Sequence, residues 1–180
     1  MKFLKHISKY VQYESQAEAR VNRICRIYGV ENYTINKDLS VDVDGVVNLD
    51  YKKLDEMPIK FGVVNGDFNC VGNQLTSFRN FPDVINGDLV CEYNQINTFD
   101  GFPKNVSGIL HCAGNKIFMF IFLFMGHNRD NLIELFNDTD IIREGRSIVL
   151  DRLKWFCEEI GVDFNDRLLK DVKKYYKVIE

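Results

Sequence analysis

Three prolines, three histidines and one tryptophan are thinly spread over 180 residues, and no C-x-x-C pair occurs anywhere. Each scarcity removes a class of function. His6, His111 and His127 are too scattered to form a ligand cluster, and structural zinc sites are usually built from close cysteine pairs, so no metal is expected. No P-loop is present, no G-x-G-x-x-G follows an expected strand, and no Ser-His-Asp pattern occurs, so no cofactor or catalytic residue is expected. A basic stripe is missing as well. Net charge is −3: residues 1–38 carry seven Lys/Arg against four Asp/Glu, residues 39–117 six against ten, and residues 118–180 ten against twelve. Tracking a phosphate backbone requires clustered cations. Direct nucleic-acid binding is therefore not expected, and the acidic middle favours a partner protein with a basic surface.

Long apolar runs are equally scarce. The one that stands out, "IFMFIFLFM" at Ile117 to Met125, falls far below the ~20 residues of a membrane helix. A buried element that seals the end of the fold is the expectation, with an exposed oligomerisation patch as the alternative. The opening "MKFLKHISKY" has no uninterrupted apolar core and no small-residue cleavage site, so it does not read as a signal peptide, and a cytoplasmic location is expected. Five cysteines, an odd number, without an export signal argue for reduced thiols.

What is present is a repeat. "GDFNCVGNQL" (66–75) returns 21 residues later as "GDLVCEYNQI" and again as "GILHCAGNKI". Apolar residues recur at Val43, Val64, Ile85 and Val106, and glycine at 45, 66, 87 and 108. Val47, Phe68, Leu89 and Leu110 form the next column, then Leu49, Cys70, Cys91 and Cys112. Asn73, Asn94 and Asn115 follow, then Leu54, Leu75, Ile96 and Ile117, and Met57, Phe78, Phe99 and Phe120. Alternation around Phe68 and Cys70 predicts a strand with those side chains inward. The asparagine falls where the chain must turn, and its amide can bond the backbone of neighbouring coils. A single coil cannot bury its apolar face, so the coils must stack.

Helix signals flank the repeat. Phe3, Leu4, Ile7 and Val11 form one stripe. "SQAE" at Ser15 to Glu18 has capping-box spacing ahead of a second stripe through Val21, Ile24 and Cys25, and Gly29 is placed to end it. Tyr33 to Val43 reads as a short hairpin or a pair of extended segments around Asn-Lys-Asp. Beyond the repeat, Met119–Phe136, Ile148–Val162 and Leu168–Val178 read as helices. The expected organisation is an α+β chain: a helical cap with the start of a hairpin (1–38), a solenoid with a parallel sheet (39–117) and a C-terminal helical subdomain (118–180).

The units F-x-C-x-x-N-x-L (Phe68 to Leu75) and L-x-C-x-x-N-x-I (Leu89 to Ile96, Leu110 to Ile117) resemble the leucine-rich-repeat core L-x-L-x-x-N-x-L, with Cys in a Leu slot. Phe81-Pro82 and Phe102-Pro103 close the units as in the bacterial short-repeat class. "YGVENYTIN", "VDVDGVVNL", "IKFGVVNGDF", "LIELFNDTDIIREG" and "IVLDRLKWFCEEIG" resemble small leucine-rich-repeat-like proteins of tailed bacteriophages and prophages, over about Tyr28 to Val162. The resemblance implies a short solenoid used for protein contacts, and no catalytic residues. With it comes the expectation of a phage-encoded protein that binds and inhibits a host protein, such as an anti-phage or CRISPR immune effector, in the cytoplasm of the infected bacterium. A virion structural or assembly accessory is the alternative, and a nucleic-acid-binding regulator or an enzyme the second alternative.

Candidate site residues lie between the repeated ones. The outward strand positions form a grid: Val46, Asn48 and Asp50; Asp67, Asn69 and Val71; Asp88, Val90 and Glu92; Ile109, His111 and Ala113. Of these, Asp50, Asp67, Asn69, Val71, Asp88, Val90, Glu92 and His111 are the expected protein-binding set, with a mixed apolar and acidic character that suits a basic protein surface. The bland alternative is a solvated scaffold face, with binding through the helical caps. Stacked Asp67 and Asp88 could act as an acid/base pair, but no pocket-forming elements accompany them. The cysteine column could hold metal ligands, disulfides or a packed core. Packing is the expectation, because free cysteine behaves as a small hydrophobe.

Overall fold

The computed structural model describes residues 16–117, 120, 136, 141–143 and 147–180. The first helical stripe, Ser15 of the capping box, and most of the apolar run and of the Met119–Phe136 stripe lie outside the described residues.

α1 covers described residues 16–28 and ends where the sequence predicts. Gly29 takes φ +69°, and Val30 N–H donates back to Cys25 O at 2.9 Å, a glycine-terminated helix end. Its inward stripe, Val21 and Cys25, is buried. The hairpin follows as β1 (Tyr33–Ile35) and β2 (Val41–Val43), antiparallel with Tyr33 opposite Val43. Tyr33 Oη donates to Asn22 Oδ1 at 2.6 Å, tying hairpin to helix.

From β2 onward each coil supplies two short strands. The first set is β2, β4 (Phe61–Val64), β6 (Val84–Ile85) and β8 (Asn105–Val106). The second is β3 (Val47–Asn48), β5 (Phe68–Asn69), β7 (Leu89–Val90) and β9 (Leu110–His111). Two sheets result, β1-β2-β4-β6-β8 and β3-β5-β7-β9, parallel throughout except at the β1–β2 hairpin. The expected single strand per coil is thus two strands bent at the glycine corner. That corner requires glycine through crowding: a Cβ on Gly66 would sit 2.6 Å from Gly45 O, and one on Gly87 2.5 Å from the Gly66 carbonyl carbon.

The inward columns form the core. Val47, Leu49, Phe68, Cys70, Leu89 and Cys91 are almost wholly excluded from solvent. Phe78, Phe99 and Phe120 stack along the return side of the coils, and fully burying each ring contributes about 1.5–3 kcal/mol. The aromatic contacts run on without a break, from Phe61 and Phe68 through Phe81, Phe78 and Phe99 to Phe136, Phe120, Phe156 and Tyr176. Ile117 and Phe120, the described members of the apolar run, are buried. One core therefore joins the solenoid to the C-terminal part.

The described residues of that part are less helical than expected. α2 (Leu150–Glu159) and α3 (Asp166–Tyr175) accompany a three-stranded sheet of β10 (Ile142–Arg143), β11 (Ser147–Val149) and β12 (Lys177–Ile179). The helix expected over Ile148–Val162 begins at Leu150, because Ile148 and Val149 belong to β11. The helix expected over Leu168–Val178 stops at Tyr175, because β-branched Val178 and Ile179 pair in parallel with Ile148 and Val149. Asn165 Oδ1 accepts from Leu168 N–H at 3.0 Å as the α3 N-cap. Tyr176 Oη donates to Lys116 O, fastening this subdomain to the last coil. The α+β class and the short solenoid with helices at both ends hold. Among the described residues, no helix is long and apolar enough to cross a membrane.

Candidate functional site

The asparagine column works as a ladder. Asn94 Nδ2 donates to Cys70 O (2.9 Å) and Cys91 O (3.1 Å), while its Oδ1 accepts from Leu75 N–H (3.1 Å). Asn73 and Asn115 repeat the pattern one coil away on either side. Each buried amide thus binds its own coil and the preceding one. The cysteines beneath are buried and unbonded to one another. Burial raises the thiol pKa of Cys70 and Cys91 far above the ordinary value and that of Cys112 to about 12. Nucleophilic or ligating chemistry needs the thiolate, so these side chains are packing. Among the described residues, no group of three His, Cys, Asp or Glu could hold a metal ion.

The varied positions come together on the opposite side of the β3-β5-β7-β9 sheet. Strand register places Asn48, Asn69, Val90 and His111 in one line across it. Val46, Asp67, Asp88 and Ile109 run along one flank, and Asp50, Val71, Glu92 and Ala113 along the other. Backbone N–H groups of Leu49, Cys70 and Cys91 donate to Asn69 O, Val90 O and His111 O at 2.7–2.8 Å, so the grid rests on a continuous ladder. All eight predicted contact residues share this face. His111 is exposed, and the other predicted residues are half-buried.

Three of the acids also hold the scaffold. Asp50 Oδ1 accepts from Val71 N–H (2.7 Å), Asp67 Oδ1 from Asp88 N–H (2.9 Å) and Asp88 Oδ1 from Ile109 N–H (2.7 Å). Each carboxylate spans to the next coil through a charge-assisted bond. The face therefore carries four carboxylates, Asp50, Asp67, Asp88 and Glu92, and no lysine or arginine among its twelve grid positions. Val46 and Ile109, at opposite ends of one column, are 59% and 62% exposed.

The corner beside this face holds two residues that the expected site omits. Tyr51, Gly72, Tyr93 and Gly114 occupy one column, and all four have left-handed backbones, φ +55°, +66°, +55° and +79°. This conformation costs a residue with a side chain roughly 1–2 kcal/mol relative to its usual one. The tyrosines are nevertheless among the most exposed large side chains, at 71% and 66%. Tyr51 lies over Gly72, where a Cβ would come 2.3 Å from the ring, and Tyr93 lies over Gly114 at 2.9 Å. The signal was present in the sequence as a Tyr-Gly alternation with a two-coil period.

Elsewhere, a groove of about 510 Å³ runs between α1 and the first coil, lined by Gln16, Arg20, Ile24, Asp38, Leu39 and Lys60 among others. Lys60 Nζ and Asp38 Oδ2 pair at 2.8 Å across it, and this bond holds the Asp38 carboxyl well below its usual range.

Fold and face together define a short repeat solenoid with one recessed structural ladder and one outward, varied strand face. Comparison with protein-family models, curated proteins and solved structures finds no match for this chain.

Proposed function

We propose that this protein is a non-enzymatic interaction module that uses the outward face of the β3-β5-β7-β9 sheet to bind a protein with a basic surface. The single observation that carries the reading is the division of labour in each coil. Repeated Gly, Cys and Asn build the scaffold, while the residues between them differ from coil to coil on one rigid, acidic, solvent-facing grid. Preorganised strands spare a binding surface much of its ordering cost, and like-signed carboxylates select and steer a cationic partner.

The resemblance to small proteins of tailed phages extends this proposal to a phage-encoded protein that occupies and inhibits a host immune effector in the bacterial cytoplasm. A second reading, binding through the C-terminal subdomain, is favoured by Trp155 on α2, which is 44% exposed.

The test is a reciprocal capture experiment with purified partner, once isolated, using Asn69→Arg, Val90→Arg and Trp155→Arg. Asn69 and Val90 are better targets than Asp67 or Asp88, whose replacement also removes an inter-coil bond. Loss of binding with Asn69→Arg and Val90→Arg, and retention with Trp155→Arg, is the expected result. The opposite pattern would move the site to the helices.

A further inference from the structure

The geometry points to the Tyr51 and Tyr93 corner as an anchor for two cationic side chains about 10 Å apart on one partner α-helix. This inference rests on the protein-binding reading above and names the partner's chemistry. Four observations carry it. The corner backbone is the left-handed form in all four coils, and two coils meet that demand with glycine. A tyrosine is therefore not what the turn requires, and its presence puts a ring outside the core. Each ring is seated on the glycine of the next coil, which fixes its orientation while leaving most of it in water.

Each tyrosine also follows a carboxylate, Asp50 before Tyr51 and Glu92 before Tyr93, whereas the intervening glycines follow Val71 and Ala113. An aromatic ring and a carboxylate on successive residues offer a guanidinium both cation–π contact and opposite charge. Lys52 and Lys53 are exposed just beyond Tyr51, so the Tyr93–Glu92 end is the stronger of the two. Finally, strands in a sheet are spaced by about 4.8 Å, so the two rings are about 9.6 Å apart along the solenoid axis. Residues i and i+7 of an α-helix are separated by about 10.5 Å along the helix and lie on one face. A helix laid parallel to the stack with arginines at i and i+7 presents both to the corner in register, whereas arginines at i and i+4, about 6 Å apart, must splay to reach both rings and bind more weakly.

The experiment uses the full chain and labelled synthetic helices with two arginines at i and i+7, two at i and i+4, or two glutamates at i and i+7, read by fluorescence anisotropy. The probes are tested against wild type, Tyr51→Gly/Tyr93→Gly, Tyr51→Phe/Tyr93→Phe and Val90→Arg. Glycine is the residue the corner already uses in alternate coils, so that variant should fold, which circular dichroism checks. Expected is preferential binding of the i, i+7 arginine helix, at least tenfold weakening by the glycine pair, and retention by the phenylalanine pair. Equal binding of the two arginine spacings, unchanged affinity in the glycine pair, or no binding of any helix would overturn the corner assignment. If Val90→Arg abolishes binding and the glycine pair does not, the strand face still reads a basic partner and only the corner assignment fails.

Discussion

Removing the amide ladder one rung at a time should give an order of damage that intuition reverses. Asn73, Asn94 and Asn115 look equivalent, and the central one would be guessed the most important. The bonds say otherwise. Cys70 O accepts from both Asn73 and Asn94, and Cys91 O from both Asn94 and Asn115. Asn94→Ala therefore leaves each carbonyl with a remaining partner and strands only Leu75 N–H. Asn73→Ala strands Leu54 N–H and also Leu49 O, while Asn115→Ala strands Ile96 N–H and removes a bond to Cys112 O. A buried group left unsatisfied costs about 1–3 kcal/mol, and each lost bond nets about 1 kcal/mol. Asn94→Ala strands one group and loses two shared bonds, an expected loss of about 3–5 kcal/mol, and Asn73→Ala, with Leu49 O stranded as well, should lose about 1 kcal/mol more. Equilibrium denaturation followed by circular dichroism gives the values, with exposed Gln95→Ala as a control expected within about 0.5 kcal/mol of wild type. An Asn94→Ala variant costlier than Asn73→Ala would refute the shared-acceptor reasoning.

Glycine columns should separate crowding from backbone conformation. Gly87→Ala, whose new Cβ would meet Gly66 backbone at 2.5 Å, should lose at least about 1–3 kcal/mol. Gly29→Ala, with open space around it but φ +69°, should lose only about 1 kcal/mol in the same denaturation assay. Thiol burial sets an alkaline limit: the unfolded chain ionises its cysteines near their ordinary value of 9.0, whereas folded Cys157 holds its proton to about 11 and Cys112 to about 12. Above pH 9 the unfolded state binds fewer protons than the native one, so stability is full below that pH and falls as pH rises through 11 and 12. Native thiol titration at pH 8 should accordingly be slow at Cys70 and Cys91 and complete only after denaturation.

Much of this architecture was readable because it repeats. A column such as Asn73, Asn94 and Asn115 states the same physical demand three times, and the buried, bonded amides answer it as expected. Gly29 ended α1 for a local reason, a left-handed residue after the helix, which one position can announce. What escaped reading depends on distant or longer-period partners. Lys177–Ile179 is a strand only because Ser147–Val149 is there to pair with it. Asp67 and Asp88 read as free acids, since nothing local says that a carboxylate will reach a backbone N–H 21 residues on. Tyr51 and Tyr93 escaped because a one-coil comparison takes their alternation with Gly72 and Gly114 for irregularity. The grid was legible as a set, and its second role in holding the coils together was not.

The most direct measurement is methyl cross-saturation from partner to this protein in the purified complex. Saturation of Val46, Val71, Val90 and Ile109 methyls, with those of Ile160, Leu168 and Leu169 unaffected, is the predicted result. Saturation confined to the C-terminal group, with the strand face silent, would contradict the assignment of recognition to the outward sheet.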